Sequence, residues 1–376
     1  MAVYLDNAAT SHPKPESVLA AVKDAMTIYN ANPGRSGHKR ALNAGRILLS
    51  CREALAKLFS VEDPFDFAYC FNCTDALNLA IKGSLYKGDH VISTALEHNS
   101  VLRVLKTLER RGDIELTLLL PNPNGLVDVQ RINSALKKNT RLIALTHASN
   151  VLGDVQPVEE IGRFAQKKAI RFLVDGAQTA GHLPINLKQM RCDLFAFPGH
   201  KGLLGPQGVG GLYIAPGLTL HTLREGGTGS SSDNMYQPEE RPERYESGTV
   251  NMHGIAGLYK GVTYVYENLP GILAHEKELS AYMVEGLRAI KGVTVYGHAA
   301  HAVGTVSFNV NDLTSEIVAD RLDNAGIAVR GGLHCAPGAH QVLNTLKRGA
   351  VRASIGYANT VADIEALLRI VAEIAR

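Results

Sequence analysis

Tryptophan is absent from this chain, and so are most of the features that would mark a membrane, secreted or nucleic-acid-binding protein. No apolar run is long enough to span a bilayer. The first ten residues, MAVYLDNAAT, carry Asp6 where a secretory leader would need an apolar core. Excess charge is missing too: 39 Lys and Arg against 36 Asp and Glu leave +3, and no basic run reaches the density of a nucleic-acid or membrane patch. The expected partner is therefore a small molecule or another protein. Cysteine is scarce, with five residues at 51, 70, 73, 192 and 335. That odd, scattered set matches no disulfide framework and points to a reducing, cytoplasmic location. Internal repeats and low-complexity tracts are also lacking.

What is present is length and aliphatic core. A chain of 376 residues exceeds the usual limit of one core, so two domains are expected. YLDNAATSHPKP reads as extended and is broken by Pro13 and Pro15, after which Val18, Val22, Ala25 and Met26 recur on one helical face. Leu48, Cys51, Leu55 and Leu58 repeat at helical spacing, which makes Cys51 a small core residue. From Asp66 the pattern alternates strand and helix: DFAYCF, TDALNLAIKGSL, HVISTAL, VLRVLKTLERR, RLIALTH, VEEIGRFAQKKA, then the strands IRFLVD, DLFAF and VGGLYI. Such alternation specifies an α/β fold with a largely parallel sheet covered on both faces, binding ligands at the carboxyl ends of its strands.

The stretch EGGTGSSSDNMYQPEERPERYESGT is too long for a simple connection and is expected to be functional or mobile. Beyond Gly254 a long helical pattern leads into a separate α+β unit, with strands VTVYG, TVSFNV, IAVRGG and VRASIG and helices SEIVADRLDNAG and ADIEALLRIVAEIA. The expected division is a large domain over 16–254 and a small one built from 1–15 and 255–376.

Chemistry concentrates at strand ends. Asp175 closes the apolar strand FLVD, and 26 positions later Lys201 follows the strand DLFAF into a glycine-rich turn. A carboxylate and a lysine so placed suit pyridoxal 5'-phosphate, which needs an amine to join its aldehyde and an acid to keep its ring nitrogen protonated. A strand ending in Asp before a glycine turn is also common in α/β proteins, and most lysines are solvated. Cys70 and Cys73 form a C-x-x-C pair. Without a second ligand pair it reads better as structure than as a metal or redox site, and no metal is expected. The glycines of GPQGVGG precede a strand, which excludes a dinucleotide fingerprint. The turn NCTDALN joins a strand to a helix and offers N–H groups and a hydroxyl to a phosphate. Cys335 lies in a polar, glycine-rich loop beside His334 and near Arg330, surroundings that can raise thiol reactivity, although a lone loop cysteine is as readily inert.

VDGAQTAGH followed by FPGHKGLLGPQGVGGLYI resembles the cofactor segment of the class V aminotransferase family, in particular the cysteine desulfurases, and RGGLHCA resembles the active-site loop of their group II (Suf-type) members. The resemblance spans essentially the full chain. It implies a fold-type-I, pyridoxal-phosphate-dependent transferase, with a mostly parallel seven-stranded sheet in the large domain and a smaller α+β domain. The implied reaction converts L-cysteine to L-alanine and leaves its sulfur on Cys335 as a persulfide, to be passed to a thiol or a sulfur-acceptor protein. A selenocysteine lyase acting on L-selenocysteine, or another aminotransferase or epimerase of the same fold, is the alternative. A scaffold with a decayed site is disfavoured by the joint presence of Lys201, Asp175, His98, Cys335 and Arg352.

By the same resemblance, Lys201 and Cys335 are catalytic, and His98 stacks on the ring and relays protons. Thr74 with the backbone around it and His200 hold the phosphate, Asp75 is counted with the cofactor-binding residues, and Gln178 meets the ring hydroxyl. Asn150 contacts cofactor and substrate, and Arg352, with Arg330, receives the substrate carboxylate. NAATSHP lines the substrate pocket, and Arg35 and His38 match the family's pattern. The long irregular stretch crosses to a second subunit of a homodimer, where Gly248 and Thr249 help hold the partner's cofactor phosphate. Three positions depart from the pattern: Cys73 replaces a small hydroxyl residue, Pro198 a serine and Leu333 a polar residue.

Overall fold

The structure, a computed structural model, describes residues 3–33, 37–230, 233–297 and 303–376. Its first third runs β1 (Val3–Tyr4), α1 (Glu16–Thr27), α2 (Lys39–Phe59), β2 (Phe67–Cys70), α3 (Cys73–Ser84), β3 (Asp89–Thr94), α4 (Asn99–Arg110) and β4 (Ile114–Leu119). The middle runs α5 (Val129–Ser134), β5 (Thr140–Thr146), α6 (Val158–Lys167), β6 (Arg171–Asp175), α7 (Leu187–Met190), β7 (Leu194–Pro198), β8 (Gly210–Ile214) and α8 (Met252–Ala289). The last part runs β9 (Val293–Tyr296), β10 (Thr305–Val310), α9 (Ser315–Asn324), β11 (Ile327–Ala328), β12 (Arg330–Gly332), α10 (Pro337–Val342), β13 (Ala350–Ser354) and α11 (Val361–Ala375).

Seven strands form the main sheet in the order β2-β8-β7-β6-β5-β3-β4. Only β8 runs against its neighbours; the other pairings are parallel. Successive strand side chains point to opposite faces, and the sequence fills both faces with apolar groups. Phe172 and Val174 of β6, Ile143 and Leu145 of β5, and Phe195 and Phe197 of β7 enter one core with Leu55 and Phe59 of α2 and Ile161 of α6. Leu173, Leu142, Ala144, Leu194 and Ala196 of the same strands enter the opposite core with Leu77 and Ile81 of α3 and Val101 and Leu105 of α4. The sheet is thus held from both sides, and its strand ends are rigid mounts for the residues that follow them.

A second sheet, β12-β13-β10-β9, is antiparallel and packs its Phe308 and Val351 with α9, α11 and the later part of α8. Helix α8 is shared: Leu258, Val262 and Val265 lie in the first core, whereas Leu279, Met283 and Leu287 lie in the last. Pro270 stands between the two groups. The N-terminus joins the second unit, because β1 pairs in parallel with β11 and Asp6 bridges Ser354.

Several local expectations change. IAVRGG is not one strand: β11 pairs with β1, and β12 with β13, since the two halves meet different neighbours. Met26 is 55% exposed instead of sharing the buried face of Val18 and Ala25. Strand β4 and the short helices α5, α7 and α10 went unpredicted. Cys51 is fully buried on α2, as its spacing implies. No helix among the described residues is long and apolar enough to cross a membrane.

Candidate active site

The carboxyl ends of β5, β6 and β7 and the N-termini of α3 and α4 converge on a cavity of about 240 Å³, closed on the far side by Arg330, His334 and Arg352 of the second unit. Thr74, His98, Asn150, Asp175, Gln178, His200, Lys201, Arg330 and Arg352 all line it. Residues spread over nearly the whole chain are brought together because β5, β6 and β7 are adjacent and parallel, so their ends share one edge.

Asp175 is buried, and two donors meet its Oδ1: the amide of Ala177 at 2.9 Å and the thiol of Cys73 at 3.6 Å. Burial pushes its pKa up, while the Ala177 amide and the Lys201 charge pull the other way. Lys201 is held low by burial first and by the Arg352 charge next, which favours a neutral amine. The turn that carries it is tightly seated. Gly181 has φ +89°, and a Cβ there would lie 2.2 Å from the carbonyl oxygen of Gly202, so the loop after β6 can approach the lysine turn only as glycine. Ser11 Oγ donates to the carbonyl of Lys201 at 2.9 Å, and Lys14 Nζ donates to that of His200 at 2.8 Å. None of these donors is visible from the motif itself.

His98 caps α4, its Nδ1 2.9 Å from Ser100 Oγ and accepting the Ser100 amide at 3.1 Å. Burial and the neighbouring Lys201 charge push its pKa down to about 4, so the ring is neutral at physiological pH. Thr74 Oγ1 lies 2.7 Å from the same Ser100 Oγ. Gln178 Nε2 donates to the carbonyl of Ala8 at 3.3 Å, and Asn150 Nδ2 to the carbonyl of His334 at 2.7 Å.

The cysteine loop is anchored through its backbone. His334 and Cys335 both adopt positive φ, 51° and 57°, a region costly for side-chain-bearing residues. Their carbonyls are held by Asn150 Nδ2 and, at 2.7 Å, by the amide of Asn99 at the start of α4. Arg330 Nη2 lies 3.7 Å from Cys335 Sγ. Cys335 itself stands beside the cavity and is not among its lining residues. Leu333 is partly exposed.

One residue expected to touch the cofactor of its own chain is elsewhere. Asp75 is not in the cavity lining: its carboxylate caps Phe71 N at 3.0 Å and is gripped by both terminal nitrogens of Arg224. Thr249 is exposed and lines a separate cleft with Tyr69 and Phe71. His38 caps α2 through Ala41 N, and Arg35 lies outside the described residues.

The donor set fits a doubly anionic group with a protonated ring. Lys201, Arg330 and Arg352 face the cavity against a single carboxylate, Asp175. His200 Nδ1 and Arg352 Nε are buried without a hydrogen-bond partner among the described residues, which is costly unless a ligand supplies acceptors. Pro198, at the end of β7, lines the cavity and offers neither hydroxyl nor N–H. The polar groups at that edge are Thr74, the first turn of α3 and His200.

Glu97 sits behind this edge and went unrecognised in the sequence. It is fully buried; Oε1 accepts from Thr94 Oγ1 at 2.6 Å and from the amide of Thr146 at 3.0 Å. Burial pushes its carboxyl from the ordinary 4.5 up to about 8. Folding therefore takes up a proton between those values, and the stability this group contributes is full below pH 4.5 and lost as pH rises toward about 8. Glu97→Gln, which cannot ionise, is expected to gain stability relative to the wild type from pH 5 to 8. Paired urea-unfolding midpoints measure this; a difference that does not change with pH contradicts a protonated carboxyl.

Comparison with known proteins agrees with this geometry. The family model described as aminotransferase class-V matches residues 3–367. A probable cysteine desulfurase of Methanothermobacter thermautotrophicus is 36% identical, the match covering 99% of this chain and 94% of the relative. One from Pyrococcus abyssi is 34% identical, over 100% of this chain and 94% of the relative. Among solved structures, the apo cysteine desulfurase of Thermococcus onnurineus NA1 superimposes with a TM-score of 0.92 at 33% identity, covering 100% of this chain and 94% of that one.

Proposed function

From the premise that the chain belongs to the aminotransferase class-V family, as a pyridoxal 5'-phosphate-dependent cysteine desulfurase, we propose the division of labour among its residues that converts L-cysteine to L-alanine. The observation that carries the proposal is the placing of Lys201 and Asp175 in one cavity with Arg352, beside the loop of Cys335.

When bound, the cofactor supplies an aldehyde carbon that takes up an amine and a protonated ring that draws electrons from the substrate's Cα. Lys201 and Asp175 would hold it, the lysine by its amine and the aspartate through the ring nitrogen. Both protein donors to Asp175 fall on Oδ1, which leaves Oδ2 free for the ring. His98, neutral and capping α4, would lie against the ring, Gln178 would meet its hydroxyl, and Thr74 and His200 would take the phosphate.

L-Cysteine binds with its carboxylate against Arg352 and Arg330, a task suited to paired guanidinium donors, and with Asn150 nearby. Lys201, kept low in pKa by burial and the Arg352 charge, is the base that removes the Cα proton. Cys335 Sγ then bonds to the substrate sulfur as the substrate's Cβ–S bond breaks. Cβ is reduced by two electrons and becomes the methyl of L-alanine, while the substrate sulfur and the Cys335 sulfur are each oxidised by one as their bond forms, and the transferred sulfur remains on Cys335 as a persulfide. Of the two thiol hydrogens, one ends on the methyl group and one on the persulfide. Incubating the holoenzyme with L-cysteine and a reducing thiol should release alanine and sulfide in equal amounts; sulfide without alanine would defeat the proposal.

We further propose a homodimer with shared sites and a sulfur-acceptor protein that discharges the persulfide. Thr249 stands away from its own chain's cavity, and the same irregular stretch exposes Met235 and Tyr236 at 96% and 83%, which supports a role against a second copy. Sedimentation should give a two-chain mass, and Thr249→Ala should weaken cofactor retention. A monomer that keeps its cofactor contradicts both. The five free cysteines support a cytoplasmic location, and the cores support two domains that share α8, with the boundary inside that helix near Pro270 and not at 254, because Leu258, Val262 and Val265 pack in the first core.

A further inference from the structure

Among the described residues Arg352 is the largest fully buried side chain, 1% exposed, on β13 beside Arg330 of β12, with which it is in register. A guanidinium so placed is expensive unless its charge is matched and its N–H groups are paired. The surroundings make this worse, since burial and the Arg330 charge both push Arg352 down from its ordinary pKa. The carboxylate that opposes them is Asp6, whose Oδ1 accepts from Arg352 Nη2 at 2.8 Å. Nη1 reaches the carbonyl of Asn150 at 3.3 Å, and Nε has no partner among the described residues.

Asp6 is itself held from two sides. Its backbone bridges Ser354, two residues along β13 from Arg352, and its carbonyl accepts from Tyr4 Oη at 3.2 Å. The segment that follows continues across the site: Ala8 N donates to Ser354 Oγ at 2.8 Å, and Ser11 reaches the carbonyl of Lys201. The aspartate is therefore fixed relative to the strand that carries the arginine. It occupies one edge of the guanidinium and leaves Nε unpaired, while Ala8 and Ala9, not Asp6, line the cavity.

We propose that Asp6 is a positioning residue for substrate binding, holding the Arg352 guanidinium in the orientation that receives the α-carboxylate of L-cysteine. The inference rests on the reading of Arg352 as the carboxylate-binding residue. A salt-bridged arginine is pre-organised, so less ordering accompanies binding. Without Asp6 the buried guanidinium turns toward other acceptors, such as the Asn150 carbonyl it already touches, and the substrate must draw it back. The effect belongs to binding and not to the proton or sulfur steps.

The test uses holoenzyme with L-cysteine as substrate and the product L-alanine as a competing ligand. Asp6→Asn keeps the shape and removes the charge. It is expected to raise KM for L-cysteine and Ki for L-alanine together by about tenfold or more, with kcat within about threefold and the cofactor spectrum unchanged. Asp6→Glu should restore both constants to within about threefold of wild type. Arg352→Lys alone should raise KM, and adding Asp6→Asn to it should change KM by less than about twofold, because the partner is already altered. If Asp6→Asn does not accumulate as folded holoenzyme, Asp6→Ser, equally uncharged, must show the same rise.

Unchanged KM and Ki in the uncharged variants, or a fall in kcat and cofactor content at constant KM, would overturn the inference. A KM that rises with Arg352→Lys but not with Asp6→Asn defeats the role of Asp6 alone. A KM untouched by Arg352→Lys defeats the reading of Arg352 on which it rests.

Discussion

Cys335→Ala holoenzyme is expected to lose alanine production from L-cysteine by about a thousandfold or more, while keeping a measurable part of its activity on L-selenocysteine and an unaltered cofactor spectrum. The difference between the substrates follows from bond strength. Sulfur leaves carbon only if a nucleophile accepts it, whereas the weaker carbon–selenium bond can break without covalent help. In the proposed mechanism Cys335 serves this step alone. It lies beside the cavity, next to Arg330, on a loop whose two positive-φ carbonyls are held by Asn150 and Asn99, and it makes no contact with Asp175. Removing the thiol therefore leaves the cofactor mount intact. Alanine release from the two substrates, assayed side by side under reducing conditions, decides the matter. A variant that handled L-cysteine as well as wild type would make Cys335 structural.

Lys201→Ala should remove the visible absorbance of the lysine-linked cofactor and abolish turnover. Among the described residues Lys201 is the one lysine in the cavity lining, and Lys14 is spent on the His200 carbonyl and Ser11. Lys201→Arg is expected to be equally inactive, since a guanidinium stays protonated and is neither a nucleophile nor a base at physiological pH. Cofactor retained without its lysine-linked spectrum agrees with the assignment, because His200, Thr74 and Asp175 remain. Turnover near the wild-type rate in either variant would remove the foundation of the mechanism.

The amino-acid sequence alone determined six of the seven strands of the main sheet, all but β4, and the mounts at its edge. FLVD and DLFAF are apolar on alternate positions toward both faces, a purely local property that makes buried parallel strands and leaves Asp175 and Lys201 just at or beyond their carboxyl ends. The helix TDALNLAIKGSL was legible for the same reason, since its apolar spacing is also a local property. Tertiary structure decided what lies between elements distant along the chain. Asp6 and Arg352 meet across 346 positions, and Asp75 is drawn from the cavity by Arg224 across 149. IAVRGG splits because each half finds a different neighbour, and Cys335 takes positive φ because Asn99 and Asn150 hold its loop. Periodicity reports which face of an element is buried. It carries no record of which partner covers that face, and charge pairing inside a fold is settled by that partner.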